Sequence, residues 1–259
     1  MFKNFKFFLL PGLALLFLAG CVPFLYRPDY NASNFKYKPV LDLFDQNRTE
    51  LGSGIRYKKI LHGSVKKRAV AITFDRGPHP FYTPQILKIL NASKVKATFF
   101  VIGEQARRYP QILRQAGNDG HEIEISSFHP VDLTQIPENE VEVEIEASGQ
   151  AVQSLTGRHP LFFRPPGGIY NYTVISTAQG LGYITALWTN NFESYLEAGQ
   201  NEISLRDLKE IKEGAILLFL ESDPATLKIL PRIITYLQEK NLKIVTVEQM
   251  KKELAKEKD

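Results

Sequence analysis

The chain contains a single cysteine, Cys21, so no disulfide can form within it and no cysteine metal cluster can be built. Charge of one sign is also lacking. The formal net charge is +4, and losing Lys3 and Lys6 with a cleaved leader leaves 30 basic against 28 acidic residues, or +2. A balance so near neutral argues against a nucleic-acid partner. Long hydrophobic runs are missing except at the N-terminus. There Phe7 to Leu18 is almost wholly apolar. It falls short of the roughly 20 residues that span a bilayer comfortably, and Pro11 interrupts it.

What is present at that end has a different meaning. Lys3 and Lys6 form a basic n-region, and Leu18-Ala19-Gly20-Cys21 closes the apolar run. This ending resembles the lipobox of bacterial lipoproteins, which implies a signal peptide over 1–20 and an acylated Cys21 as the mature N-terminus. The alternative is an uncleaved anchor helix with an incidental cysteine. Each buried methylene of a lipid on Cys21 would contribute about 0.8 kcal/mol of anchoring, and two or more chains hold a protein firmly. The expectation is a membrane-tethered protein of the bacterial envelope, facing outward. Val22 stands where an Asp would mark inner-membrane retention, which leans toward an outer membrane if one is present. The sequons at Asn31, Asn47, Asn91 and Asn171 are then expected to stay bare.

Length and an apolar fraction of 44% allow one domain of about 200 residues plus an extension. Residues 21–65 are polar and aperiodic and read as a tether and wrap-around extension, leaving 66–259 for the domain. From Arg68 onward short apolar strands alternate with amphipathic helices. Strands are predicted at 69–75, 97–103, 121–127, 161–164, 183–189, 215–221 and 243–247. Helices are predicted near 82–92, 104–117, 138–156, 171–181, 203–212 and 224–240. Glu138 to Glu146 alternates like an exposed strand, yet Val141, Ile145, Ser148, Val152 and Leu155 recur at helical spacing, and helix is the reading taken. About seven strands, each followed by a helix, imply a parallel α/β sheet with helices outside, open or closed as a barrel.

The stretch Ala71-Ile72-Thr73-Phe74-Asp75-Arg76-Gly77-Pro78-His79-Pro80 carries the most chemistry. It resembles the T-F-D-D-G-P strand end of polysaccharide deacetylases, the NodB-homology family or carbohydrate esterase family 4. The resemblance runs over 68–250 through Thr98-Phe99-Phe100, Gly120-His121-Glu122-Ile123, Pro130, Arg164-Pro165-Pro166 and Gly214. It implies a distorted (β/α) barrel with its site at the C-terminal strand ends, where Asp75, His129, Arg164 and Glu221 fall. The family removes acetyl groups from amino sugars with a divalent metal such as zinc, held by one Asp and an H-x-x-x-H pair. By that likeness Asp75 is the base and Arg164 the residue that orients it, although R-P-P could equally just shape a strand-end turn. The backbone N–H of Gly167, in F-R-P-P-Y-G terms the Tyr position, would bind an oxyanion.

The departures fall on the chemical positions. Arg76 replaces the metal-binding Asp, and a guanidinium has no lone pair to offer a cation. Counting back from His129 puts Ile125 where the first ligand His belongs, and counting forward from Gly120 puts Ser126 there. His129 survives alone, a remnant ligand that cannot hold zinc without partners. His121 reads as a structural histidine. Leu220 stands at the catalytic His, so the general acid is missing, and the side chain of Glu221 should point to the other face. In Trp188-Thr189-Asn190-Asn191-Phe192-Glu193-Ser194-Tyr195 both carboxylates of a fourth motif are gone. Trp188 and Tyr195 could stack on a sugar, or Trp188 could be core. Arg76 either replaces the metal's charge beside Asp75, turning the pocket into a binding cleft with Arg76, His129, Gly167 and Trp188 at hand, or it drifts into solvent.

No cofactor is therefore expected. The reading is a lipid-anchored, deacetylase-like envelope protein without the family's catalysis, binding an N-acetylated glycan such as peptidoglycan or an exopolysaccharide, or else an envelope protein. The alternative is a divergent carbohydrate N-deacetylase with a rearranged site built on Asp75, His129 and Arg164.

Overall fold

A computed structural model describes residues 36–193 and 202–256. Cys21, the leader and Tyr195 lie outside the described residues. The sheet grows from strands β1 (Lys59–Ile60), β2 (Ala69–Gly77), β3 (Thr98–Val101), β4 (Glu122–Ile125), β5 (Phe162–Phe163), β6 (Ile184–Ala186), β7 (Asn190–Asn191), β8 (Ile216–Leu220) and β9 (Lys243–Val245). Neighbours run β1-β6-β5-β4-β3-β2-β8-β7, with β9 on the first residues of β2, and every pairing is parallel. Among the described residues β1 and β7 are the two free ends, so the sheet curls as an incomplete barrel. The predicted strands are present, β2 running on to Gly77 and the others shorter, and two brief edge strands, β1 and β7, are added.

Around the sheet lie α1 (Val40–Gly52), α2 (Tyr82–Ala92), α3 (Gly103–Arg108), α4 (Pro110–Asn118), α5 (Glu138–Thr156), α6 (Tyr172–Gly180), α7 (Leu205–Lys209), α8 (Pro224–Glu239) and α9 (Val247–Ala255). The helix predicted over 104–117 is two helices because of Pro110. Its ring bars the residue before it from helical backbone, and Tyr109 sits at φ −127°, ψ 56°. Pro110 then opens α4, where its missing N–H is no loss. α5 resolves the ambiguous alternation as helix: Val141, Glu144, Ile145, Ser148 and Val152 form its buried face, and Gly157 closes it at φ 70°.

The extension reads from sequence as a tether and wrap-around segment. From residue 36 it is part of the fold, since α1 puts Leu43 into the core and β1 pairs with β6.

The centre is β2. Its sequence AVAITFDRG is apolar along most of its length because both faces are covered, and every residue but Arg76 is buried. Register places Asp75 between Phe100 of β3 and Leu220 of β8. Between Asp75 and Gly77 the pairing slips, and Arg76 takes φ +64° at that irregularity. Such a bulge re-aims a side chain at a strand end.

Candidate functional site

Asp75 is held by a wholly buried cation. Arg164 comes directly after β5 and has no exposed surface. One guanidinium nitrogen, Nη1, donates to Asp75 Oδ1 at 2.7 Å and to Thr73 Oγ1 at 2.8 Å. Nε donates to the Ala186 carbonyl at 3.1 Å and Nη2 to the Leu187 carbonyl at 3.2 Å. The plane lies over the Phe100 ring at 3.8 Å. A buried charge is tolerable only when its hydrogen bonds are met in this way. The pairing inferred from R-P-P is therefore present. Burial raises the Asp75 carboxyl above its ordinary range, while the charge and hydrogen bond of Arg164, the Tyr37 hydroxyl and the charge of Arg76 pull it back.

The other oxygen of Asp75 is met by a residue the motifs did not point to. Tyr37, just before α1, donates its hydroxyl to Asp75 Oδ2 at 3.2 Å. Its ring lies 5.5 Å from Trp188, and the Arg76 guanidinium stands 4.9 Å from its centre. Burial first, then the Asp75 carboxylate, raise the Tyr37 hydroxyl well above the usual phenol value, so it remains a donor. Next door, the Lys38 N–H donates to the Gly167 carbonyl at 2.8 Å.

Arg76 does not drift into solvent. Its side chain is 22% exposed, and Nη2 lies 4.0 Å from Glu193 Oε1. It contributes charge toward Asp75, as the sequence suggested, but it reaches Tyr37 and Glu193 rather than replacing Arg164 as the carboxylate's partner. Trp188 is wholly buried, which is the core alternative left open by the sequence. Its ring fits only because residue 168 is glycine: a Cβ there would come 2.4 Å from the indole, at φ +69°. Gly167 is buried beside it at φ +63°. With Tyr37 seated, neither Trp188 nor Gly167 offers a face to a sugar.

The remaining family positions carry no metal chemistry. Ile125 ends β4 fully buried, and the Ser126 hydroxyl donates to the Arg164 carbonyl at 2.9 Å. His129 is clamped from α5: Glu144 accepts its backbone N–H at 2.7 Å and meets its Nδ1 at 2.7 Å. That hydrogen bond raises the imidazole's pKa against a smaller opposing effect of burial. This contact fastens the loop after β4 to α5. Leu220 lies opposite Asp75 in register with nothing to donate or accept.

Among the described residues no group of three or more His, Cys, Asp or Glu is placed to hold a metal ion. The donor set does not fit a divalent cation: beside Asp75 stand a guanidinium and a leucine, and Ser126 donates to a carbonyl. His121 is the structural histidine expected, with Nδ1 accepting the Ala97 N–H at 3.2 Å and its pKa lowered to about 4 by burial.

Glu221 comes directly after β8 and packs against Gly77 and Thr83. It is completely buried, accepts from the Thr83 hydroxyl, and leaves Oε1 without a hydrogen-bond partner among the described residues. It presses on Gly77, where a Cβ would fall 1.7 Å from that oxygen. Burial and, secondarily, the charge of Asp75 push its pKa up to about 8. Tyr37 and Glu144 lay outside every motif. Glu144 was visible only as a carboxylate on the buried face of α5, and Tyr37 left no signal.

Known proteins resemble the chain along the same lines. Residues 62–186 match the family model described as polysaccharide deacetylase. A peptidoglycan-N-acetylglucosamine deacetylase of Bacillus cereus is 33% identical over 71% of this chain and 88% of its own length. The structure of PdaA of Bacillus subtilis, a family 4 carbohydrate esterase, superposes with a TM-score of 0.69 at 26% identity, over 87% of this chain and 94% of that one. A family 4 pseudoenzyme from Bacillus anthracis shares the fold with a TM-score of 0.69 at 22% identity, over 76% and 70% of the two chains.

Proposed function

Because the chain belongs to the polysaccharide deacetylase family, we propose that it is a non-catalytic member of it, anchored in the bacterial envelope through a lipid on Cys21 and binding an N-acetylated glycan. One observation carries the loss of catalysis. Asp75 keeps its orienting Arg164, but its surroundings hold Arg76, Leu220 and Tyr37 where a metal and a general acid would be needed. Deacetylation of an amide requires a polarised carbonyl, an activated water and a proton for the leaving amine. Asp75 alone could serve only the second, and its two oxygens are already engaged by Arg164 and Tyr37.

Glycan as the ligand class is supported by relatives named for peptidoglycan chemistry and by the preserved Asp75–Arg164 pair. A carboxylate fixed by an arginine is a good acceptor for sugar hydroxyls. The divergent-deacetylase alternative has that same pair in its favour, and Leu220 stands where its general acid would be needed. The experiment is acetate release from peptidoglycan and chitooligosaccharides, run beside sedimentation of the full chain with insoluble peptidoglycan. The reading expects no acetate above the buffer blank and retention on peptidoglycan that falls in Asp75→Asn. Zinc-dependent acetate release would overturn it.

A further inference from the structure

Building on the glycan-binding reading above, we propose that residues 36–39 form a removable strap whose Tyr37 occupies the place of one sugar ring, so that strap seating and glycan binding exclude one another.

Three observations carry this. First, Tyr37 meets the cleft as a ligand would. Its hydroxyl donates to the Asp75 carboxylate, one side of its ring approaches Trp188 at 5.5 Å, and Arg76 stands 4.9 Å from its centre. A pyranose offers the same elements, a hydroxyl donor at the rim of a flat C–H face, and aromatic side chains take such faces. Second, beneath the strap polar machinery is set into the apolar core to which Tyr37 and Trp188 belong. The Asp75–Arg164 pair is there, and the indole N–H of Trp188 has no hydrogen-bond partner among the described residues. Buried donors are nearly always satisfied, so a cleft that leaves one unmet is shaped for something other than tyrosine.

Third, the helix that the strap leads into has an anchor of its own, and the Lys38 ammonium bonded to Gln46 is the side-chain tie between them. Residues 36–39 belong to no helix or strand, and the Lys38 N–H to Gly167 bond ties their backbone to the loop after β5. α1 is anchored independently by Leu43, which is fully buried. Rotation about the residues before Pro39 would lift Tyr37 without undocking the helix. Local openings of this kind lie at the low end of a protein's stability scale.

Trp188 is the only tryptophan, so its emission reports on the cleft alone. The test has three arms. In the unaltered full chain, NMR hydrogen exchange should show the Lys38 amide exchanging faster than the amides of α1 and β2. Exchange at the same rate as those core amides would overturn the strap and would do so without any variant. In Tyr37→Ala, acrylamide quenching of Trp188 should rise severalfold while the far-UV spectrum is retained. A folded variant with unchanged quenching would also overturn it. With chitotetraose as probe, Tyr37→Ala should bind severalfold more tightly than the unaltered chain, and equal affinity would overturn the exclusion. Binding to neither, with quenching raised, would keep the strap and sink the glycan reading on which its ligand rests.

Discussion

Glu221 is the clearest case of one residue whose protonation the fold dictates. It lies fully buried against Gly77 and Thr83, and its carboxyl titrates near 8. In the unfolded chain it would ionise in the ordinary carboxylate range. Between those two values the folded state holds a proton that the unfolded state has lost. Stability therefore falls as pH rises from about 5 to about 8, by an amount on the order of several kcal/mol. Chemical denaturation at pH 5.5 and pH 8.5 checks this: Glu221→Gln should flatten the decline and be the more stable protein at the higher pH. An unchanged decline in the variant would place the titration elsewhere. Neither the raised pKa nor the contact with Gly77 was readable in the sequence, which supplied only an expected face for Glu221. For Trp188 two readings survived because a tryptophan beside a sugar site and one in a core look alike as letters. The deciding contacts come from Gly168 and Tyr37, and Tyr37 is far away in the chain.

Among the elements, α1 shows where pattern reading ends. Its buried contribution is Leu43, so it has almost no apolar stripe and reads as polar linker. Tertiary context makes it a helix. Its weight in the fold is testable by Leu43→Ala, which should lower stability by about 2–5 kcal/mol, the usual range for a buried leucine. A tether that merely passes by would lose almost nothing in urea unfolding. β2, by contrast, was legible nearly to the residue, because a strand covered on both faces is a continuous apolar run closed by turn residues. α5 was legible from its 3.6-residue spacing despite the competing alternation. The break at Pro110 was written in the sequence as well, but amphipathic spacing on both sides of it masked the boundary. Strand ends were overdrawn because apolar residues continue into the buried loops that carry the site.

For the whole molecule, the fold is the family's while residues at its chemical positions differ. Strand register brings Asp75 and Leu220 side by side and Arg164 pairs with Asp75, within a fold shared with relatives at 33% identity and at a TM-score of 0.69. The departures at Arg76, Ile125 and Leu220 lie at strand ends, and there Ile125 and Leu220 serve the hydrophobic core. Recognition of the fold from sequence is compatible with departures at Arg76 and Leu220, since the motifs that carry it are other residues. The central claim is that Arg76, Leu220 and the strap leave no place for a divalent metal. It is tested most directly by isothermal titration of zinc into the full chain purified in detergent, with elemental analysis beside it and an active family member as reference. The account predicts no heat of binding at micromolar zinc and no stoichiometric metal in the preparation. One zinc per chain, lost on Asp75→Asn, would contradict it.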